Sequence, residues 1–508
     1  MTANAAETVV VVGAGIAGLC CALALGRSDR QVILLERDGA PPAGGADEAF
    51  HDWKRTGVGH LRQSHAFLAR LRNIIVDDHP KLLEDLAAAG VRDLPFDGML
   101  TELQRDRYTP LPSDAELTIL TSRRTTLELV MRRYVETLPA ITIRPGVFVR
   151  GLLAERGADG LLRVGGVRAD DNGEAVEIRA DVVVDAGGKG GILVDDLREH
   201  GATIGEVTES AGILYFTRHY RLKPGKSEPP RIGNPPATGD LGFLKFGVFP
   251  GDNGCFSITV CTPEIEYEMR KAIVNPDVFQ RMAMMLPGLV PWINPDQAEP
   301  TSKVFGMGDL LCRWRDFVVD GTPAALGYFA VGDNLVRTNP LYGRGCSFAA
   351  VGAYDLRQVL DGSADPVTRA RAYHDAVAQD LRPYYDLMLK QDRDALKRAR
   401  AALTPGHKPS LRGRIMRSFA EDGVAIAMRY DIDLLRQGLR GFHMLEHPDA
   451  WLKRPGNMVR ILGYWARGKR RNAKAYPPKP GPDRETMMRG LGLDPEADIA
   501  IEAQRKAA

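Results

Sequence analysis

The chain lacks any Cys-x-x-Cys pair. Its six cysteines, Cys20, Cys21, Cys255, Cys261, Cys312 and Cys346, have no spacing suited to holding a metal, and no metal site is expected. Neither charge sign dominates: 67 Lys and Arg stand against 65 Asp and Glu, a net +2 that implies no polyanionic partner, so nucleic acid is not an expected ligand. No internal repeat, low-complexity segment, Ser/His/Asp set or secretory leader is read, and a reducing cytoplasm is the expected compartment. The apolar fraction of 44% and charged fraction of 26% are ordinary for a soluble protein, and 508 residues suffice for two or three domains.

What the chain does have is concentrated at its start. Glu7–Arg37 reads ETVVVVGAGIAGLCCALALGRSDRQVILLER. Four valines predict a buried parallel strand, Gly13-Ala14-Gly15-Ile16-Ala17-Gly18 is a GxGxxG turn, Leu19–Gly26 a helix, and Gln31–Leu35 a second strand ending at Glu36. Gly13 permits the tight turn, Gly15 admits a pyrophosphate to the backbone, and Gly18 allows close helix–strand packing. The phosphates then rest on free amides, Ile16 and Ala17 among them, at the positive end of the helix. Glu36 is placed to accept from ribose hydroxyls and would repel a 2′-phosphate, which favours FAD or NAD over NADP. Val9–Gly26 is apolar over 18 residues, yet three glycines in six positions and the acid behind them argue against a membrane span.

Further along, Gly39–Gly45 is a loop that leads to Gly57–His65, a polar stretch with Arg62 and His65. Two readings of that stretch stand: a cofactor-facing loop, or a polar loop with a helix cap at Ser64. Phe67–Asp77 and Pro80–Ala89 have helical spacing. Ser122–Leu138 is an amphipathic helix in which Arg123 and Arg124 occupy the first turn, against the helix dipole, and so suggest an anionic partner such as a pyrophosphate. Glu177–Val184 is a buried strand that opens into Asp185-Ala186-Gly187-Gly188, a second place where backbone approaches a ligand unless it is only a tight turn.

Ile213–Leu222, Phe243–Phe249 and Cys255–Cys261 alternate like strands of a sheet with one open face. Val278–Leu286 is a methionine-rich helix that suits either a core or a pocket for a greasy ligand. The third glycine-rich stretch is Gly327–Leu360: a strand over Tyr328–Val331, then Gly332-Asp333, Asn339-Pro340 and Gly343-Arg344-Gly345, and a helix from Cys346. If Asp333 faces a ribityl hydroxyl, the helix start lies under the pyrimidine edge of a flavin. The remainder, from Pro366, is helical and basic. Met458–Lys474 is compatible with a peripheral membrane contact at the inner face, or with a helix docked on its own domain.

Taken in order, these motifs resemble FAD-dependent monooxygenases of the aromatic-hydroxylase type, and most closely the bacterial branch related to squalene epoxidase and the polyether-forming flavin epoxidases. The likeness covers roughly Thr8–Arg400 and includes Pro383–Arg393 (PYYDLMLKQDR). It implies a Rossmann-like α/β FAD-binding domain in two parts, residues 1–200 and 301–365, a substrate-covering β-sheet domain at 201–300 and a C-terminal helical region at 366–508. It also implies that Gly13, Gly15 and Gly18 hold the pyrophosphate, with Glu36 and Arg37 at the adenosine ribose. Arg124 would reach the phosphate or ribityl region and Gly332-Asp333 the ribityl chain, while Arg62, His65, Gly343, Gly345 and Cys346 lie near the ring, and Asp185 and Gly187 complete the site. Two departures are evident: the turn Gly187–Gly191 has no serine, and Arg344 and Cys346 stand where softer residues are usual.

The implied chemistry is insertion of one oxygen atom from O2, by epoxidation or hydroxylation, into an apolar, isoprenoid- or polyketide-like substrate through a flavin C4a-hydroperoxide. With a single dinucleotide fingerprint, electrons come from NAD(P)H docking transiently or from a separate flavin reductase. The rivals are a reductase or desaturase of isoprenoid C=C bonds and a non-catalytic lipid-binding protein on the same fold. Halogenation has only Pro291-Trp292-Ile293-Asn294-Pro295 in its favour, a faint echo of a two-tryptophan motif.

Overall fold

A computed structural model describes residues 6–27, 29–404 and 406–507. In chain order, β1 (Glu7–Val12), α1 (Ile16–Leu25) and β2 (Arg30–Glu36) form the first unit, followed by the short α2 (Ala46–Asp52), α3 (Arg124–Glu136), β3 (Ile141–Pro145) and β4 (Val182–Asp185). Next come the antiparallel strands β5 (Ile213–Leu222), β6 (Lys245–Pro250) and β7 (Cys255–Pro263), then α4 (Pro276–Met284), β8 (Tyr328–Ala330) and α5 (Gly345–Gly362). The C-terminal third contributes α6 (Arg382–Ala402), α7 (Leu411–Ser418) and α8 (Pro455–Arg471).

The organising sheet runs β8-β4-β1-β2-β3, and its strands pair in parallel throughout. Both faces of such a sheet are covered, which is why the central strands β1 and β4 read as unbroken valine runs instead of alternating. From β1 the chain first builds outward through β2 and β3, then crosses back to β4 and β8 on the other side. The crevice at the carboxyl ends of β1 and β4 is therefore the place where a doubly wound sheet takes a ligand. Two glycines make the corner possible. Gly13 has φ +99°, and a Cβ there would sit 2.7 Å from the Ala186 carbonyl oxygen; a Cβ on Gly18 would sit 1.8 Å from the carbonyl oxygen of Gly13. No other residue fits either position without moving backbone.

The expected run Glu177–Val184 is broken at Ala180-Asp181, so that Glu174–Arg179 closes a three-stranded antiparallel sheet and only β4 joins the parallel one. In the second large sheet, β5 lies between β7 and short edge strands. Phe216, Tyr220, Phe256, Ile258 and Val260 face one core, shared with Phe279, Met282, Trp292, Met487 and Met488. This corrects the pocket reading of the methionine-rich helix: Met282 is fully buried in that core, on the side of the sheet away from the FAD corner. The opposite face is polar. Tyr215, Thr217 and His219 on β5 stand across from Cys261, Thr259 and Ser257 on β7.

Candidate FAD and substrate site

Three glycine-rich corners far apart in sequence meet at that crevice. The Gly13 corner touches Ala186 and Gly187 after β4, and a Cβ on Gly332 would lie 2.7 Å from the Ala17 methyl. Gly343, at φ +65°, faces the Ala66 carbonyl beside His65, and α5 starts two residues later. Gly13, Gly15, Ala17, Asp333, Gly343 and Cys346 all keep partial access to solvent, although the strands beneath them are buried. The result is a cleft along the carboxyl ends of the strands.

Asp333 lies in the tight turn Gly332–Asn334 after β8, half-buried, and its carboxylate has no hydrogen-bond partner among the described residues. Burial pushes its carboxyl up from the ordinary value, while Arg337, Arg124, Arg313 and Lys189 pull it partly back. His60 shares this neighbourhood. Desolvation, followed by Arg124, His65, Arg337 and Lys189, holds its imidazole well below the usual range. One bare carboxylate among four cations, beside two helix N-termini, is a surface complementary to a ligand that carries both negative charge and hydroxyl donors.

At the far end of the cleft Glu36 is buried and folded back. It accepts from the Ala14 amide at 2.8 Å, the Asp38 amide at 2.9 Å and Arg55 Nη2 at 3.0 Å. Arg55 also lies 2.9 Å from Glu128 Oε1 and 3.7 Å from Asp38, and its guanidinium is the side-chain group closest to Gly15. Sequence reasoning missed Arg55, because its loop has no motif. The only available signal was the need of Glu36, Asp38 and Glu128, all buried, for a shared cation. Arg37 is turned toward Thr56, 3.1 Å from its hydroxyl, and is largely exposed.

Four expectations need correction. Arg62 does not reach the corner: its guanidinium donates to the carbonyls of Phe50 at 2.7 Å and His51 at 3.1 Å, capping the end of α2. Arg123 is held by Asp252 at 2.6 Å and Asp47 at 2.8 Å, whereas Arg124, paired with the buried Glu128 at 3.2 Å, is the one of the two on the cleft side. Asp185 has both oxygens occupied, by Tyr328 at 2.8 Å and by Asn334 at 2.6 Å and the Gly187 amide at 3.0 Å, and acts as scaffold. Ser64 caps no helix; its hydroxyl bonds Ser257 and Thr259, each at 2.6 Å.

His65 does reach the corner. Its Nδ1 donates to the Gln63 carbonyl at 2.9 Å and its Nε2 accepts from Arg124 at 3.4 Å, which settles the tautomer. Burial, reinforced by Arg124, holds the imidazole down at about 3, so it is neutral at physiological pH. The Cys346 thiol, pushed up to about 11 chiefly by burial, is protonated there as well. Arg344 points away from the cleft, its guanidinium against the rings of Tyr342, Tyr384 and Phe442 at 5.3–5.8 Å, so the loop offers only backbone to the ligand. Behind that loop, Asp392 of α6 accepts from Asn339 and Tyr342, each at 2.9 Å, and Tyr215 bonds Asn339 in turn.

Between His65 and the second sheet runs a chain of hydroxyls. Gln63, Thr217, Thr259, Ser64 and Ser257 are linked by contacts of 2.6–2.7 Å, and Gln63, Ser64 and Ser257 also line a cavity of about 10 Å³, roomy enough for a single water.

Comparison with known proteins bears on the fold and the cofactor. Residues 8–209 match a family described as an FAD binding domain, and FAD is the cofactor of this part of the chain. A Mycobacterium tuberculosis (strain ATCC 25618 / H37Rv) protein, Rv3254, is 27% identical over 378 residues, spanning 70% of this chain and 73% of its own length. Among solved structures, the flavin-dependent brominase Bmp2 is 18% identical with a TM-score of 0.59, covering 91% of this chain and 100% of that one. PqsL of Pseudomonas aeruginosa, described as a probable FAD-dependent monooxygenase, is 15% identical with a TM-score of 0.52, covering 77% of this chain and 97% of that one. The fold is that of FAD-dependent oxidoreductases.

Proposed function

We propose that the chain is an FAD-dependent monooxygenase that adds one oxygen atom of O2 to a substrate held between the glycine-rich corners and the polar face of the second sheet. The observation that carries this reading is Asp333, a carboxylate without a hydrogen-bond partner among the described residues, in a cationic cleft at the switch point of the sheet. FAD bound and reduced there supplies the activation of O2. The rest is the work of the chain. Asp333 accepts from ribityl hydroxyls, the amides of α1 together with Arg55 take the pyrophosphate, and the N-terminus of α5 and Arg124 offset negative charge at the ring. Glu128 and neutral His65 hold Arg124 in place. The hydroxyl chain from Gln63 to Ser257 closes the sheet side against bulk water.

Epoxidation of an alkene or hydroxylation of an electron-rich ring fits this site, and the epoxidase-like branch rests on the sequence resemblance. NAD(P)H or a separate flavin reductase supplies the electrons. Halogenation gains nothing from residues 291–295: Trp292 is fully buried, edge-on to Phe256 at 5.2 Å, in the core behind the sheet.

To test the reading, the purified yellow holoprotein is reduced without air and mixed with oxygen. A transient near-ultraviolet band before the oxidised flavin spectrum returns is the expected result, longer-lived with a true substrate. Direct reoxidation with no transient would favour the reductase or desaturase reading. Colourless protein with an intact fold would overturn flavin chemistry altogether and favour a lipid carrier.

A further inference from the structure

Apart from the flavin site, one element is exposed on all sides. Leu411–Arg417 of α7 are exposed without exception, and Leu411, Ile415 and Met416 leave 65%, 47% and 57% of their surface open. No residue of α7 is buried. The helix is the free end of a longer one that continues through Phe419–Val424 and Ala425–Tyr430. Only below Ser418 does that longer helix pack, with Phe419 edge-on to Trp465 at 5.5 Å and Trp465 Nε1 donating to Ser418 at 3.0 Å. A single pair of turns in water gains little from its own hydrogen bonds, and three large apolar side chains on it have nothing among the described residues to bury against.

The charge around this projection has one sign. Lys408, Arg412, Arg414 and Arg417 surround the apolar residues with no acid between Gly406 and Ser418. At the base, Lys469 lies 3.7 Å from Asp422, which places the basic end of α8, with Arg470, Arg471 and Lys474 following in sequence, beside α7. The acids at this base are Glu421, paired with Arg417 at 2.8 Å, and Asp422, shared with Ser418 and Tyr476. Within Met458–Lys474, Ile461 is buried and Trp465 packs on the body while Val459 and Leu462 stay exposed, and the basic end of α8 adds charge beside the apolar surface of α7.

We propose that α7 and the basic end of α8 dock the protein on an anionic membrane surface, with Leu411, Ile415 and Met416 entering the headgroup–acyl boundary and the cations meeting lipid phosphates. The occupant follows from combined chemistry: apolar side chains on a projecting helix need an apolar phase, and the cations around them need negative charge at its edge. Among the described residues no helix is long and apolar enough to cross a membrane, so the contact is peripheral. This inference is independent of the oxygenase reading.

The test is co-sedimentation of the full-length holoprotein with phosphatidylglycerol-containing vesicles and with vesicles of phosphatidylcholine alone. Binding to the anionic vesicles, weakened by high salt, is the expected result. Replacing Ile415→Asp and Met416→Asp together should lower partitioning at least about tenfold, and Arg412→Glu with Arg414→Glu should remove the preference for anionic lipid. Flavin content should be unchanged in both variants, which separates loss of docking from loss of fold or cofactor. Equal partitioning of wild type and variants, or no binding to anionic vesicles, overturns the proposal. So does a lipid-free dimer that the Ile415→Asp/Met416→Asp pair dissociates, which would assign the surface to a second copy of the chain.

Discussion

Two aspartates end neighbouring strands of the parallel sheet, and the local sequences around them look alike: Val-Val-Val-Asp185-Ala-Gly-Gly and Phe-Ala-Val-Gly-Asp333-Asn. Burial raises the carboxyl pKa of both, so that direction does not tell them apart. Hydrogen-bond accounting does. Asp185 satisfies both oxygens with Tyr328, Asn334 and the Gly187 amide and thereby ties β4 to the turn after β8. Asp333, one turn away, has no hydrogen-bond partner among the described residues and four cations around it. A buried polar group that is satisfied internally is scaffold, whereas one left bare in a built site awaits a ligand.

The contrast should be visible in stability. Asp185→Ala leaves the Tyr328 hydroxyl and the Asn334 amide unpaired in the interior, at a cost of about 2–4 kcal/mol. Thermal unfolding of the apoprotein should show it as the largest drop among the corner variants. An Asp185→Ala apoprotein that melts with wild type would break the comparison, since Asp185 would then be no more structural than Asp333.

A smaller effect concerns pH. The folded-state values of His65, about 3, and His219, about 4, are depressed from 6.5, so the stability they contribute is present above pH 6.5 and is lost as pH falls toward those values. In that window the unfolded chain binds protons that the folded chain refuses. Each imidazole contributes a slope approaching about 1.4 kcal/mol per pH unit. His65→Asn should therefore flatten the acid limb of apoprotein stability between roughly pH 6 and 4 by one such share. An unchanged slope would mean that His65 is not held neutral beside Arg124.

The frame of the fold was legible because its constraints are local. A Cβ at Gly13 or Gly18 would collide with backbone, and no other residue type escapes that, so the first corner announces itself in sequence. Positive-φ glycines at 332 and 343 give the third corner the same legibility. What was not legible depends on partners distant in the chain. Nothing near Asp185 says that Tyr328 and Asn334, more than 140 residues on, will saturate it. Arg62 sits in a motif-like loop, yet the carbonyls at the end of α2 claim its side chain, while unmarked Arg55 takes the place beside Gly15. The methionine-rich helix shows an apolar face but not what covers it: the returning segment with Met487 and Met488 fills that role from the other end of the chain.

The central claim, that the corners share one extended FAD with Asp333 on its flavin half, is tested most directly by titrating apo Asp333→Ala with FAD and, separately, with ADP. FAD affinity should fall at least about tenfold, the loss of roughly one charge-assisted hydrogen bond. ADP affinity should match wild type, and the thermal midpoint of the apoprotein should hold or rise. Unchanged FAD affinity, or an equal fall for ADP, would contradict the account.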